Sequence, residues 1–110
     1  MYIYLDLVQL IGGDGYKSGN VFVQNSLGYF GPVCDDNWGF EDARVVCGQL
    51  GFSRDNVTVW HYSEFGSVPN DFAMDQIYCD GTEAKIQDCV YSTSEDCRPG
   101  EGAGVVCFEL

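Results

Sequence analysis

Apolar and polar positions change period several times along this 110-residue chain. Residues 5–11, Leu-Asp-Leu-Val-Gln-Leu-Ile, partly alternate and predict a strand. Gly12-Gly13-Asp14-Gly15 breaks it. Val21-Phe22-Val23-Gln24 is β-branched and aromatic and predicts a second strand. Asn25 to Gly28 reads as a turn, and Tyr29 to Cys34 returns as a third strand of a small antiparallel sheet. The period then lengthens. Ala43, Val46, Cys47 and Leu50 fall at i, i+3, i+4 and i+7, which predicts a helix over 41–50 with one apolar face. Glu41 and Asp42 suit its N-terminal dipole end, and Gly51 suits the left-handed position after its last turn. Residues 53–73 suggest a short strand around Val57 and Val59, then a long loop ending near Pro69-Asn70-Asp71. Met74 to Cys79 alternates as a strand. Asp80 and Glu83 stand at capping-box spacing and predict a short second helix reaching Cys89. Residues 90–102 are polar and irregular, and Gly104 to Phe108 forms a closing strand.

Composition narrows the class. The length suits one domain spanning 1–110. A core this small is marginal without reinforcement. Six cysteines, at 34, 47, 79, 89, 97 and 107, supply it. No C-x-x-C pair occurs, so a disulfide framework in an oxidising compartment is expected rather than a zinc ribbon or a redox motif. Spacing alone leaves fifteen connectivities open. Seventeen acids against five bases give a net charge of −12. That argues against nucleic acid and anionic membranes. It favours cations or basic partners, or serves solubility alone. No apolar run is long enough to cross a bilayer. The start lacks a signal peptide's pattern, so a secreted protein is expected to be represented here by a mature or excised segment, with Met1 added. Asn56-Val57-Thr58 is an N-glycosylation sequon, which fits an exposed loop of a secreted glycoprotein, though such triplets also occur by chance.

Catalysis is not expected. His61 is the single histidine, which excludes a multi-histidine metal site. There is no Gly-x-Ser-x-Gly nucleophile motif and no phosphate-cradling Gly-x-x-x-x-Gly-Lys loop. Asp35 and Asp36 are adjacent, without the facing geometry that acid–base work on sugars needs.

Five strings now line up in order: Val8-Gln9-Leu10-Ile11-Gly12-Gly13; Gly31-Pro32-Val33-Cys34-Asp35-Asp36-Asn37-Trp38; Ala43-Arg44-Val45-Val46-Cys47-Gly48-Gln49-Leu50-Gly51-Phe52; Asp75-Gln76-Ile77-Tyr78-Cys79-Asp80-Gly81-Thr82-Glu83; and Glu101-Gly102-Ala103-Gly104-Val105-Val106-Cys107. Together they resemble the scavenger receptor cysteine-rich (SRCR) family from about residue 7 to 108. The eight-cysteine group carries extra cysteines in the first loop and directly after the Gln-Leu-Gly motif. Here those places are Asp14 to Ser18 and Phe52, so the chain resembles the six-cysteine group A.

The resemblance implies the pairs Cys34–Cys97, Cys47–Cys107 and Cys79–Cys89. Two of these would close loops of about sixty residues, each worth ~4 kcal/mol by the chain-entropy model. It implies a compact α+β fold, in which a curved antiparallel sheet cradles one main helix, with a short second helix. It also implies a divalent-cation site, usually for calcium, made by Asp35, Asp36 and Glu101. Calcium's need for several oxygen ligands fits that set. The family often has Glu-Asp before Ala-Gly-Val, whereas here Glu101 is followed by Gly102. A structural carboxylate lost there would spare the site, and a lost ligand would weaken it. A second site near Asp75 or Asp80 competes with capping and turn roles for those residues.

Ligand contacts are expected from the middle segment. Trp60, Tyr62 and Phe65 would anchor an interface if exposed and would be core if buried. Trp38 is expected to pack beside the helix. Arg44 and Arg98 either make single ligand contacts or pair with acids such as Glu41 and Asp96. The bases form no cluster for scavenging polyanions. Tyr2, Ile3 and Tyr4 could extend the first strand or pair with a second copy, giving a homodimer. The expected function is an extracellular, pattern-recognition type module of innate immunity that binds a protein or glycan, with calcium or another divalent cation. It is expected to sit in a secreted protein or an ectodomain, without inserting into the membrane itself. The alternatives are a self-associating calcium-binding matrix domain and a regulatory module of a secreted enzyme.

Overall fold

The computed structural model describes residues 7–94 and 96–110. Residues 5 and 6 of the expected first strand, and the Tyr2, Ile3 and Tyr4 edge, lie outside the described residues. The elements are β1 (Val8–Gly12), β2 (Ser18–Gln24), β3 (Phe30–Pro32), α1 (Phe40–Gln49), β4 (Val57–Trp60), β5 (Asp75–Tyr78), a 3-10 turn (Ile86–Asp88), β6 (Val90–Ser92) and β7 (Gly104–Cys107).

The main sheet is antiparallel in the order β1-β2-β7-β4, with β3 paired to β2. Strand β2 shows why it sits centrally. Val21 and Val23 are fully buried on one face and join the main core. Phe22, on the other face, packs on a smaller core of Cys34, Val68, Phe72 and Cys97. This is the period-2 alternation of a strand covered on both sides.

Helix α1 lies against β4 and β7. Ala43, Val46 and Cys47 are fully buried, with Val45 beside them, and Leu50 is half-buried. Asp42 works at both ends of the packing. Its Oδ2 accepts the N–H of the N-cap residue Gly39 at 2.8 Å, and its Oδ1 accepts the Cys79 N–H at 2.9 Å. Burial pushes its carboxyl above the ordinary aspartate range, against the pull of these two N–H groups. The helix start is thus tied to the end of β5.

Two expectations need correction. The second helix is one 3-10 turn, Ile86–Asp88, and does not start at Asp80. Asp80 and Glu83 instead close a tight acidic turn. The stretch 90–102, expected to be irregular, begins with strand β6, which pairs with β5 in a separate two-stranded sheet. Tyr91 of β6 packs against the main core.

Disulfides join Cys34–Cys97, Cys47–Cys107 and Cys79–Cys89, the pairs that the resemblance implies. The first two span separations of 63 and 60 residues. One bridge crosses the smaller core, and the second clamps α1 to β7.

Candidate functional site: a carboxylate cluster at the end of the sheet

After β3 the chain forms an isolated antiparallel bridge, Cys34 to Gly102. The Asp35 N–H donates to the Glu101 carbonyl at 2.9 Å. A turn follows, closed by the Trp38 N–H on the Asp35 carbonyl at 3.0 Å. Asn37 takes φ +64 in that turn, a left-handed conformation asparagine tolerates better than most residues. Trp38 is then buried, and its indole N–H donates to the Gly104 carbonyl at 3.1 Å. A second turn presents Glu101. The Glu101 N–H donates to the Arg98 carbonyl at 2.8 Å, and the Arg98 N–H returns to Glu101 Oε1 at 2.7 Å. The Cys34–Cys97 bridge locks the two turns side by side.

Carboxylate oxygens of Asp35, Asp36 and Glu101 consequently lie within 4.8 Å of one another. Asp35 is buried, and the other two are half-buried. Burial pushes the Asp35 carboxyl above its ordinary range. The Tyr62 N–H and His61 pull it down, and the neighbouring Glu101 and Asp36 push it up. Like charge from the two neighbours is the smaller of the raising causes at Asp35, and burial is the larger.

A third segment braces the cluster. Tyr62 donates its N–H to Asp35 Oδ2 at 2.7 Å. His61 Nε2 donates to the Trp38 carbonyl at 2.7 Å. The Ser63 hydroxyl donates to the Pro99 carbonyl at 2.6 Å and accepts the Gly102 N–H at 2.8 Å. Tyr62 and Ser63 adopt φ +60 and +51. That conformation is costly for side-chain-bearing residues, and these bonds hold it. A Cβ at Gly102 would lie 3.0 Å from both Ser63 Oγ and Val68 Cγ1. Position 102 is therefore a packing position against the 61–68 loop in this chain.

The remaining candidates scatter. Tyr62 stands 80% exposed beside Asp35, Trp60 is 38% exposed, and Phe65 is half-buried. Arg44 lies away from the cluster: it pairs with Glu41 at 3.4 Å, reaches Asp55 at 4.0 Å and covers the Phe40 ring. Asn56 is exposed just before β4. Asp75 is buried, with a carboxylate oxygen within 4.8 Å of one on Asp36 and of the Cys34–Cys97 sulfurs, whose electrons are committed to the disulfide. Asp80 belongs to its own turn. Sequence reasoning missed the 61–63 brace, because backbone N–H groups leave no side-chain signature and a Tyr-Ser pair does not signal left-handed backbone.

The fold and cluster now stand beside known proteins. The family model "Scavenger receptor cysteine-rich domain" matches residues 11–108. The chain belongs to this family. It is 44% identical over 105 residues to a scavenger receptor cysteine-rich domain superfamily protein of Patiria pectinifera, covering 94% of this chain and 9% of that protein's length. The third SRCR domain of murine neurotrypsin superposes with a TM-score of 0.84 at 34% identity, covering 96% of this chain and 98% of that one. The SRCR domain of mouse MARCO, crystallised in a dimeric form, gives 0.72 at 30% identity, covering 86% and 90%. Domains of this family are disulfide-rich extracellular modules, generally non-catalytic. No helix among the described residues is long and apolar enough to cross a membrane.

Proposed function

We propose that this domain is an extracellular ligand-recognition module of the six-cysteine type, and that Asp35, Asp36 and Glu101 hold a divalent cation, calcium foremost, at its contact surface. The observation that carries this reading is the convergence of three carboxylates from segments some sixty residues apart, one of them buried against its own preference for water. Such an arrangement costs stability unless something positive completes it. Carboxylate oxygens, with water filling the remaining positions, suit calcium's flexible oxygen shell. A cation so placed would attract an anionic group of a protein or glycan, with the exposed Tyr62 ring as a neighbouring contact. The dimeric crystal form of the MARCO domain supports a homodimer as the first assembly to look for.

A thermal melt with calcium and with chelator tests this. Calcium at 100 times its Kd should add about 2.7 kcal/mol of apparent stability by linkage. Asp35→Ala should abolish the shift. A wild-type midpoint unmoved by millimolar calcium would refute the cation site.

A further inference from the structure

A second concavity, about 480 Å³, lies along the ends of β2, β4 and β7. Its floor is aromatic and aliphatic: Trp60 at the end of β4, Phe65 from the following loop, and Val106 and Phe108 at the end of β7. Gly12 lets these parts meet, since a Cβ there would stand 2.5 Å from the Phe65 carbonyl oxygen. Three charges ring the groove: Asp14, Glu64 and Lys17. Lys17 pairs with Glu109 at 3.6 Å. Asp14 and Glu64 are exposed and have no ion-pair partner among the described residues. The groove therefore offers aromatic surface from Trp60 and Phe65 and two carboxylates without an ion pair among the described residues, on a chain of net charge −12.

We propose that this groove is the docking site for an arginine side chain on a basic loop of a partner protein. The volume is that of a small-ligand pocket. A guanidinium stacks on aromatic faces and forks to carboxylates, and its aliphatic stem covers apolar surface. An anionic ligand would face Asp14 and Glu64. A purely apolar one would bury those carboxylates without compensation. The site goes beyond the cation-dependent surface, since none of the cluster's carboxylates lines it.

The test uses the 110-residue chain in chelator, titrated with acetyl-Gly-Arg-Gly-amide and with its citrulline counterpart. The two indole N–H resonances are followed by NMR. Trp38, bonded to Gly104, is the internal reference. The expected result is a saturable shift of the Trp60 indole with the arginine peptide and none with citrulline. Asp14→Asn and Glu64→Gln should each weaken binding by roughly two- to fivefold, as exposed ion pairs do. An unshifted Trp38 signal would show that each variant is folded. Equal response to both peptides, no response to either, or full affinity in the double variant would overturn the proposal. Because chelator is present, these outcomes are independent of the calcium melt, and either reading can fail alone.

Discussion

The molecule carries two acidic turns that look alike in sequence and differ in kind. At Asp80–Glu83 the carboxylates take their hydrogen bonds from within the turn itself. Glu83 accepts the Asp80 N–H at 3.0 and 3.2 Å and the Gly81 N–H at 3.1 Å. Asp80 Oδ1 accepts the Thr82 N–H at 2.8 Å and its hydroxyl at 2.6 Å. The Thr82 bonds, hydroxyl first, hold the Asp80 carboxyl below its ordinary range. At Asp35, Asp36 and Glu101 the acids come from distant segments, and burial moves Asp35 the opposite way. Backbone donors within four residues can satisfy a carboxylate at little cost. At the cluster, burial of Asp35 is the larger cost and the like charge of Glu101 and Asp36 the smaller one, and the scaffold bears both. Direction of titration here follows burial: buried Asp35 and the buried helix-capping Asp42 are both raised, and the exposed Asp80 is lowered.

The contrast can be broken most forcefully at the scaffold. Replacing Cys34 and Cys97 by alanine removes the bridge that joins the two halves of the cluster. Loss of about 4 kcal/mol is expected by the chain-entropy model, read from urea unfolding, together with loss of any calcium-induced melt shift. The Asp80 turn should keep its NMR chemical shifts in whatever fraction remains folded. A variant that still answers to calcium would mean the bridge does not assemble the site.

A gentler change sharpens the contrast. Asp35→Asn keeps an acceptor for the Tyr62 N–H and removes the charge. Because the folded-state pKa of Asp35 is raised, the folded state takes up its proton at higher pH than the unfolded chain does. The ionised group therefore costs stability at pH 7, and this cost fades as pH falls through the folded-state pKa toward the ordinary value. In chelator, Asp35→Asn should be more stable than wild type at pH 7, with the gap closing toward pH 4. A gap that widens on acidification would contradict the assignment. Asp80 has the reverse sign: its contribution is present above the ordinary pKa and is lost as pH falls through the depressed one. Thr82→Ala should raise the Asp80 titration midpoint, read by carboxyl NMR, lower the neutral-pH melt by less than any variant above shifts it, and leave the calcium response unchanged. This is the smallest effect of the set.

Much of the fold was readable because burial follows pattern where burial is simple. The helix face Ala43, Val46 and Cys47 is buried as its spacing required, and Phe40–Gln49 differs from the expected 41–50 by one residue. Strand β2 begins at Ser18, earlier than expected, because Ser18 and Asn20 are buried polar residues that a hydrophobic pattern discards. Tertiary contacts carry them: Ser18 Oγ accepts the Asp14 N–H, and the Asn20 amide donates to the Gly66 carbonyl. Strand β6 escaped notice for a similar reason. Val90 is exposed, and the strand exists because β5 offers an edge to pair with. The Asp80–Glu83 spacing suggested a helix, yet the same side-chain bonds also build a turn, and spacing does not separate the two. At the candidate site, the three acids and the cysteine pairing came from family resemblance, since spacing left fifteen pairings. The brace from His61, Tyr62 and Ser63 exists only in the folded chain, through backbone groups that a sequence does not distinguish.

The crossed long bridges also dictate how the domain bears load. Pulled at its ends, the covalent path from Cys34 jumps to Cys97 and continues along ten residues to Cys107. That leaves roughly 35 Å of extensible length, where the 73 residues without a bridge would give roughly 240 Å. Asp35 and Asp36 sit inside the shielded loop, while Glu101 lies on the ten residues under load. A dication shared between them would act as a clasp across the seam between the shielded loop and the loaded segment. Single-molecule extension should show a step near 35 Å whose rupture force rises with calcium; a calcium-independent force would leave the seam to hydrogen bonds alone.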